Sequence, residues 1–119
     1  MRPSIPFANL DLSDKSGFEQ LGEGVYVKVL GDSMDHEAKT GHRTRLLRLE
    51  AGRANPTPHA HPFWEEIMIV EGSFLEGAAD DETRFSAPAY ACRQPGEMHG
   101  PNRSDEACLM IEFNWYGER

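Results

Sequence analysis

The stretch from Gly52 to Gly72, which reads GRANPTPHAHPFWEEIMIVEG, decides how the rest of the chain is interpreted. His59 and His61 are separated by one residue, and Glu65 follows four positions later. Because residues i and i+2 of a strand point to the same face, an unbroken strand turns both imidazoles and the carboxylate to one side. Two imidazoles and a carboxylate that converge on one point are typical ligands of a transition metal.

A second cluster, QPGEMHGPN from Gln94 to Asn102, supplies another histidine. Pro95 and Gly96 predict a turn, and His99 stands just after it. If the fold brings His99 beside the first pair, the set holds three imidazoles and one carboxylate. We interpret the remaining histidines, His36 and His42, as ordinary polar residues with hydrogen-bond partners, because each stands alone.

Two glutamates, Glu65 and Glu66, compete for the carboxylate position. The parity of an unbroken strand favours Glu65, which shares its face with both histidines and with Ile67 and Ile69. Glu66 then points outward. A bulge within residues 62–64 would reverse this parity and give the ligand role to Glu66.

The rest of the sequence predicts one all-β domain. A length of 119 residues is near the commonest domain size, and 11 glycines with 8 prolines predict many turns. Gly72-Ser73 is a hairpin signal. We expect an N-terminal arm over residues 1–20 and a barrel or two-sheet sandwich over residues 21–119. Short strands are predicted at 22–30, 43–50, 65–71, 89–93 and 108–116.

Charge and composition restrict the partners. The net charge of −8 argues against nucleic acid or an anionic membrane as a partner. The N-terminus has no apolar segment of the signal-peptide kind, and two cysteines do not make a disulfide framework, so we expect a cytoplasmic protein. We also expect a homodimer, because a small barrel exposes sheet edges and faces, with Met68 and Val70 as candidate contacts.

The two clusters resemble the two motifs of the cupin superfamily. His-x-His-x-x-x-Glu followed by six residues and a glycine is similar to the first motif, and Pro-Gly-x-x-His is similar to the second. The segments 64–72 and 90–99 are most similar to cupins of the ChrR type. The resemblance implies a single-domain antiparallel β-barrel of the jelly-roll or double-stranded β-helix kind. It also implies one divalent transition metal (iron, zinc, manganese or nickel) on His59, His61, Glu65 and His99.

Cupins differ widely in activity, so three functions are weighed. We favour a non-haem metal enzyme of the dioxygenase type that acts on a small organic molecule, with Glu65 as a ligand or a base. A zinc-containing ligand-binding or sensing domain is the second, because ChrR-type domains bind zinc. The third is an oxygen-independent isomerase or lyase. The ChrR-type domain can follow a helical anti-sigma module, for which this chain has no room, and we expect no anti-sigma role.

Four side chains near the motifs are candidates for the substrate pocket. Phe63 and Trp64 lie between the predicted ligands and would form an aromatic wall at the mouth. Tyr90 and Met98 lie near the second motif. Packing in the barrel is the alternative role for all four.

Overall fold

The computed structural model describes residues 2–118, which form nine strands and no helix. The bounds are β1 Glu19–Gly22, β2 Val25–Asp32, β3 His42–Leu49, β4 Ala54–Asn55, β5 Trp64–Glu76, β6 Thr83–Ser86, β7 Ala89–Arg93, β8 Asn102–Arg103 and β9 Cys108–Trp115. The predicted strand at 89–93 has the observed bounds, and the other predicted strands overlap β2, β3, β5 and β9.

The strands form one curled antiparallel sheet in the order β1-β2-β3-β9-β5-β8-β4, with β6 and β7 also paired to β5. Strand β5 is the longest, and it pairs with β9 and β7 in its first half and with β6 and β8 in its second. The sheet therefore closes part of the way around an interior. This confirms the predicted all-β, antiparallel barrel fold.

The prediction of a hairpin at Gly72-Ser73 is wrong, because β5 continues through both residues to Glu76. Gly72 has a φ of 77°, and a Cβ at this position would lie 1.9 Å from the carbonyl oxygen of Ala107. The glycine lets the strand bend sharply where it leaves β9 and joins β6. The hairpin comes later, over residues 77–82, which join β5 to β6 and include Asp80, Asp81 and Glu82.

The barrel interior has an apolar and a polar part. Leu49, Ile69, Cys108 and Met110 form the buried apolar cluster. Further along β9, the interior positions hold Glu112 and Asn114, both of which are buried. Side chains on both faces of β9 are buried or half-buried, so its polar side chains must find partners inside the protein.

Residues 2–18 precede the first strand and contain no strand themselves. Arg2 donates a hydrogen bond to Thr44 Oγ1 at 3.1 Å, and Lys15 Nζ lies 3.1 Å from a carboxylate oxygen of Glu50. The segment thus contacts the outside of the barrel at two points. The boundary between arm and domain at residue 20 stays a prediction.

Candidate metal centre

Three histidines converge at one end of the barrel interior. The backbone N–H of His59 donates to the carbonyl of His99 at 2.9 Å, and the reverse bond has the same length. His61 follows two residues after His59, and the ring centroids of the three histidines are 4.2 to 5.2 Å apart. One ring nitrogen from each lies within 4.8 Å of the others, so the cluster could bind a metal ion.

Backbone carbonyls orient two of these rings. Nδ1 of His59 lies 3.3 Å from the carbonyl oxygen of Thr57, and Nδ1 of His99 lies 3.2 Å from that of Glu97. A carbonyl oxygen can only accept, so each Nδ1 carries the proton and each Nε2 has a free lone pair. The side chains of Glu97 and Asn102 lie near His99 in sequence, but the group at its Nδ1 is the backbone carbonyl of Glu97. Asn102 instead accepts a hydrogen bond from Arg53.

The Glu65 carboxylate lies beside the histidines. Its Oε2 is 3.3 Å from Nε2 of His61 and 3.6 Å from Nε2 of His99. Metal–ligand distances of about 2.1 Å place adjacent donors roughly 3.0 Å apart in an octahedron and roughly 3.4 Å apart in a tetrahedron. The same oxygen is buried without a hydrogen-bond partner. A cation between Glu65, His61 and His99 fits this spacing and would satisfy that oxygen, whereas the group whose donors all lie within 4.8 Å of one another consists of the three histidines.

Glu66 points to the opposite side of β5. Its Oε2 accepts a hydrogen bond from the Tyr90 hydroxyl at 2.5 Å, on the outer surface of the barrel. Segment 62–63 does interrupt the strand, as the sequence indicates, but the register of β5 against β9 turns Glu65 inward. The Glu65 side chain therefore lies beside the histidines, whereas the Glu66 side chain lies outside the barrel.

Burial sets the protonation of the site. It lowers the pKa of His61 to about 4, with a further contribution from the charge of His99, and it also lowers the pKa of His99. Burial, followed by the neighbouring Glu112 carboxylate, raises the pKa of Glu65 to about 7. In the metal-free site, burial therefore favours the neutral imidazoles of His61 and His99, as a metal requires, and makes the Glu65 carboxyl group costly to ionise.

The histidines and Glu65 form part of the wall of a cavity of about 240 Å³. One part of the wall is apolar and includes Val25, Leu47, Ile67 and Met110. The other part carries charged side chains. The charged and amide side chains that line it, besides the candidate ligands, are Arg45, Arg53, Asn55, Glu76, Arg93, Asn102 and Glu112.

The four side chains predicted for the substrate pocket lie outside the wall of this cavity. Phe63 is buried behind His61, with ring centroids 5.0 Å apart. Trp64 stacks on Trp115, and the ring planes differ by 1°. The side chains of Tyr90 and Met98 are exposed. Strand alternation explains the position of Trp64, because it is adjacent to the inward-facing Glu65.

Two ion pairs in the cavity wall were not foreseen from the sequence. Arg45 donates to Glu112 at 2.8 Å, and Arg93 lies 2.8 Å from Glu76. A signal for the first pair was present, because Arg45 has the same parity as the apolar Leu47 in β3. Charged residues on the apolar face of a central strand indicate a polar interior site.

The other two histidines lie apart from the cluster, as predicted. Nδ1 of His36 is 2.7 Å from the Tyr116 hydroxyl, and Nδ1 of His42 is 3.2 Å from a guanidinium nitrogen of Arg2. Neither belongs to the group of histidines that could hold a metal.

A curled antiparallel barrel with three histidines at the mouth of its cavity defines the chain as a cupin. Within that class, residues 11–116 match the family model of the ChrR cupin-like domain. The chain belongs to this family, which confirms the resemblance read from the two motifs. A comparison with curated proteins finds no match.

Solved structures share the fold at low sequence identity. KdgF from Halomonas sp. has a TM-score of 0.67 and 17% identity, with 90% of this chain and 94% of that chain covered. An acetylacetone dioxygenase from Acinetobacter johnsonii has a TM-score of 0.68 and 15% identity, with 97% and 76% covered. The anti-sigma ChrR of Rhodobacter sphaeroides, solved with SigE, has a TM-score of 0.60 and 22% identity, with 81% and 48% covered.

These similarities establish the fold and leave the activity open. No helix within residues 2–118 is long and apolar enough to cross a membrane.

Proposed function

We propose that this protein is a metal-dependent enzyme that acts on a small organic molecule, with His59, His61, His99 and Glu65 as the metal ligands. The observation that carries the proposal is the position of the cluster in the wall of a 240 Å³ cavity. A structural zinc site is closed by four protein ligands, whereas a catalytic site keeps a position open toward substrate. Four protein donors leave two positions free in an octahedron.

The residues around the cluster have separate roles in this proposal. The metal, when bound, supplies a Lewis acid, and iron(II) would add oxygen chemistry. The three imidazoles would hold it, and the carbonyls of Thr57 and Glu97 keep the rings of His59 and His99 oriented. Glu65 is a ligand, and it can hold a proton near neutral pH when the metal is absent. The apolar part of the wall excludes water from the substrate.

Dioxygen chemistry is the finer form of the proposal. One of the proteins with the same fold is an acetylacetone dioxygenase, which supports a diketone or an enol-forming acid as the kind of substrate. The cavity has room for such a molecule beside the histidines.

Nitric oxide, which substitutes for dioxygen, tests this form directly. Protein reconstituted with iron(II) should give a high-spin iron–nitrosyl signal in electron paramagnetic resonance, because two coordination positions are free. A small diketone should change the signal by taking the neighbouring position. His99→Ala should abolish the signal, and His42→Ala, which alters a histidine outside the cluster, should leave it intact. No nitrosyl signal in the wild-type protein would contradict the oxygenase proposal.

A zinc-containing binding domain is the second candidate. The match to the ChrR cupin-like family favours it, and three histidines with Glu65 supply four donors, which is enough for a closed tetrahedron. X-ray absorption of the zinc-loaded protein separates the candidates. Four protein donors and no water support the binding domain, whereas an added water or a fifth ligand supports the enzyme. An oxygen-independent isomerase or lyase would keep the open position and use Glu65 and Glu112 for proton transfer, and its turnover would consume no dioxygen.

A further inference from the structure

Arg53 differs from the other arginines of the cavity wall. Arg45 is paired with Glu112, and Arg93 is paired with Glu76, each at 2.8 Å. Among the residues that the structure describes, no carboxylate forms an ion pair with Arg53. One of the three guanidinium groups that face the cavity is therefore not neutralised by the protein.

The groups around Arg53 are neutral. Its Nη2 donates to Asn102 Oδ1 at 2.5 Å and reaches Ser104 Oγ at 3.4 Å, while its Nε is buried without a hydrogen-bond partner. Burial lowers the pKa of Arg53. The acidic group that acts on it is the Cys108 thiol, whose own pKa is raised by burial to about 11 and which is therefore uncharged. A partly desolvated cation that no carboxylate neutralises is costly unless a ligand supplies the anion.

The chain connects Arg53 to the metal centre through one pair of segments. Asn55 pairs with Asn102 where β4 meets β8, and His59 pairs with His99 further along the same two segments. Arg53 is two residues before Asn55, so the side chains of both point into the same cavity. The cavity thus has a guanidinium in one part of its wall and the imidazoles in another.

We propose that the cavity binds a small organic acid whose carboxylate pairs with Arg53 while a second oxygen of the same molecule points to the metal held by His59, His61 and His99. This inference rests on the proposed metal site. A divalent metal with Glu65 as its one anionic ligand retains one positive charge, and Arg53 adds a second. The cavity therefore favours an anion, although the whole chain carries a net charge of −8.

The shape of the guanidinium and the size of the cavity specify the ligand further. A guanidinium binds a carboxylate through parallel N–H donors, and the Nη1 of Arg53 makes none of the hydrogen bonds that occupy its Nη2. A cavity of 240 Å³ corresponds to about eight waters of liquid, so the ligand has on the order of ten non-hydrogen atoms. The class is thus a short-chain acid with an oxygen function at its other end.

A calorimetric titration of the zinc-loaded protein tests this class without requiring turnover. The probes are malonate, succinate, glutarate and adipate, each compared with its monomethyl ester. We expect one chain length to bind about 10- to 100-fold more tightly as the diacid than as the ester, the range of one charge-assisted hydrogen-bonded pair. Arg53→Gln should reduce the diacid to the affinity of the ester. Arg53→Lys should restore part of the preference, because it keeps the charge but loses the fork.

The control variant is Arg48→Gln, which removes an arginine of β3 that does not line this cavity. It should keep the full preference for the diacid. If Arg53 only joins β4 to β8, Arg53→Gln will weaken diacid and ester equally, and the inference is overturned.

The zinc content of each variant is measured before titration and separates the two proposals. Wild-type protein that holds zinc but shows no preference for any diacid refutes this inference alone. Wild-type protein that holds no zinc refutes the metal site and this inference together.

Discussion

Replacing Glu65 by Gln changes the buried carboxyl group while it preserves the size of the side chain. Glu65 is 5% exposed, and its pKa in the metal-free protein is about 7 instead of 4.5. Because this pKa is raised in the folded state, the protonated Glu65 carboxyl group contributes to folding stability. That contribution is fully present below pH 4.5 and is lost as the pH rises through 7. The ionised carboxylate therefore destabilises the metal-free protein at pH 8.

The magnitude follows from the two pKa values. The difference between the pKa of Glu65 in the folded and in the unfolded protein lowers the free energy of unfolding by about 2 to 3 kcal/mol between pH 5 and pH 8. Gln cannot ionise, so the Glu65→Gln variant does not suffer this loss. Between pH 5 and pH 8 its free energy of unfolding should rise by about 2 to 3 kcal/mol relative to that of the wild type. Any cost of the buried amide is present at both pH values and cancels. The opposite effect of His61, whose pKa is lowered to about 4, is common to both proteins.

Urea unfolding of the chelator-treated proteins at pH 5, 6, 7 and 8 measures this difference. The same variant should bind zinc more than about 100-fold more weakly, because loss of a ligand exceeds the 10- to 100-fold effect of an outer-shell partner. Glu66→Gln is the matched control, since Glu66 accepts its hydrogen bond from Tyr90 outside the barrel, and its zinc affinity should be unchanged. A pH-independent difference for Glu65→Gln, or a stronger metal effect of Glu66→Gln, would refute the reasoning.

Two further predictions concern the barrel. Gly72→Ala should lower the free energy of unfolding by more than about 2 kcal/mol, because its φ of 77° and the contact of the added Cβ with the Ala107 carbonyl act together. Gly52→Ala, at a φ of 89° with open space around the position, should cost only about 1 to 2 kcal/mol in chemical denaturation. Sedimentation should show a homodimer at micromolar concentration, because Met68 and Val70 are 42% and 41% exposed on β5. Met68→Glu should shift it toward monomer, and a wild-type protein that is only monomeric would exclude the dimer.

The sequence predicted the fold and the histidine cluster because both depend on local patterns. The spacing of His59 and His61 and the turn before His99 are local features, and the family resemblance joins them. The parity argument for Glu65 assumed a continuous strand from His59. In the structure His59 makes only an isolated bridge to His99, and the pairing of β5 with β9 orients Glu65 instead.

The charged part of the cavity was missed because it depends on contacts distant in sequence. Arg45 and Glu112 are 67 residues apart, and Arg53 and Asn102 are 49 apart. Only the order of the strands brings them into one wall. The alternation within β9 separates Glu112 from its apolar neighbours, but it does not tell which face lines the cavity, since residues on both faces of β9 are buried or half-buried.

Metal analysis of protein purified without an affinity tag tests the central claim, a metal held by His59, His61 and His99, most directly. Mass-spectrometric analysis of the wild-type protein should find one transition-metal ion per chain. His99→Ala should lose it, and His42→Ala should retain it, because only His99 belongs to the cluster. Folding of both variants is checked by circular dichroism. A wild-type protein that takes up no metal even after reconstitution, or a folded His99→Ala variant with the full amount, would contradict the account.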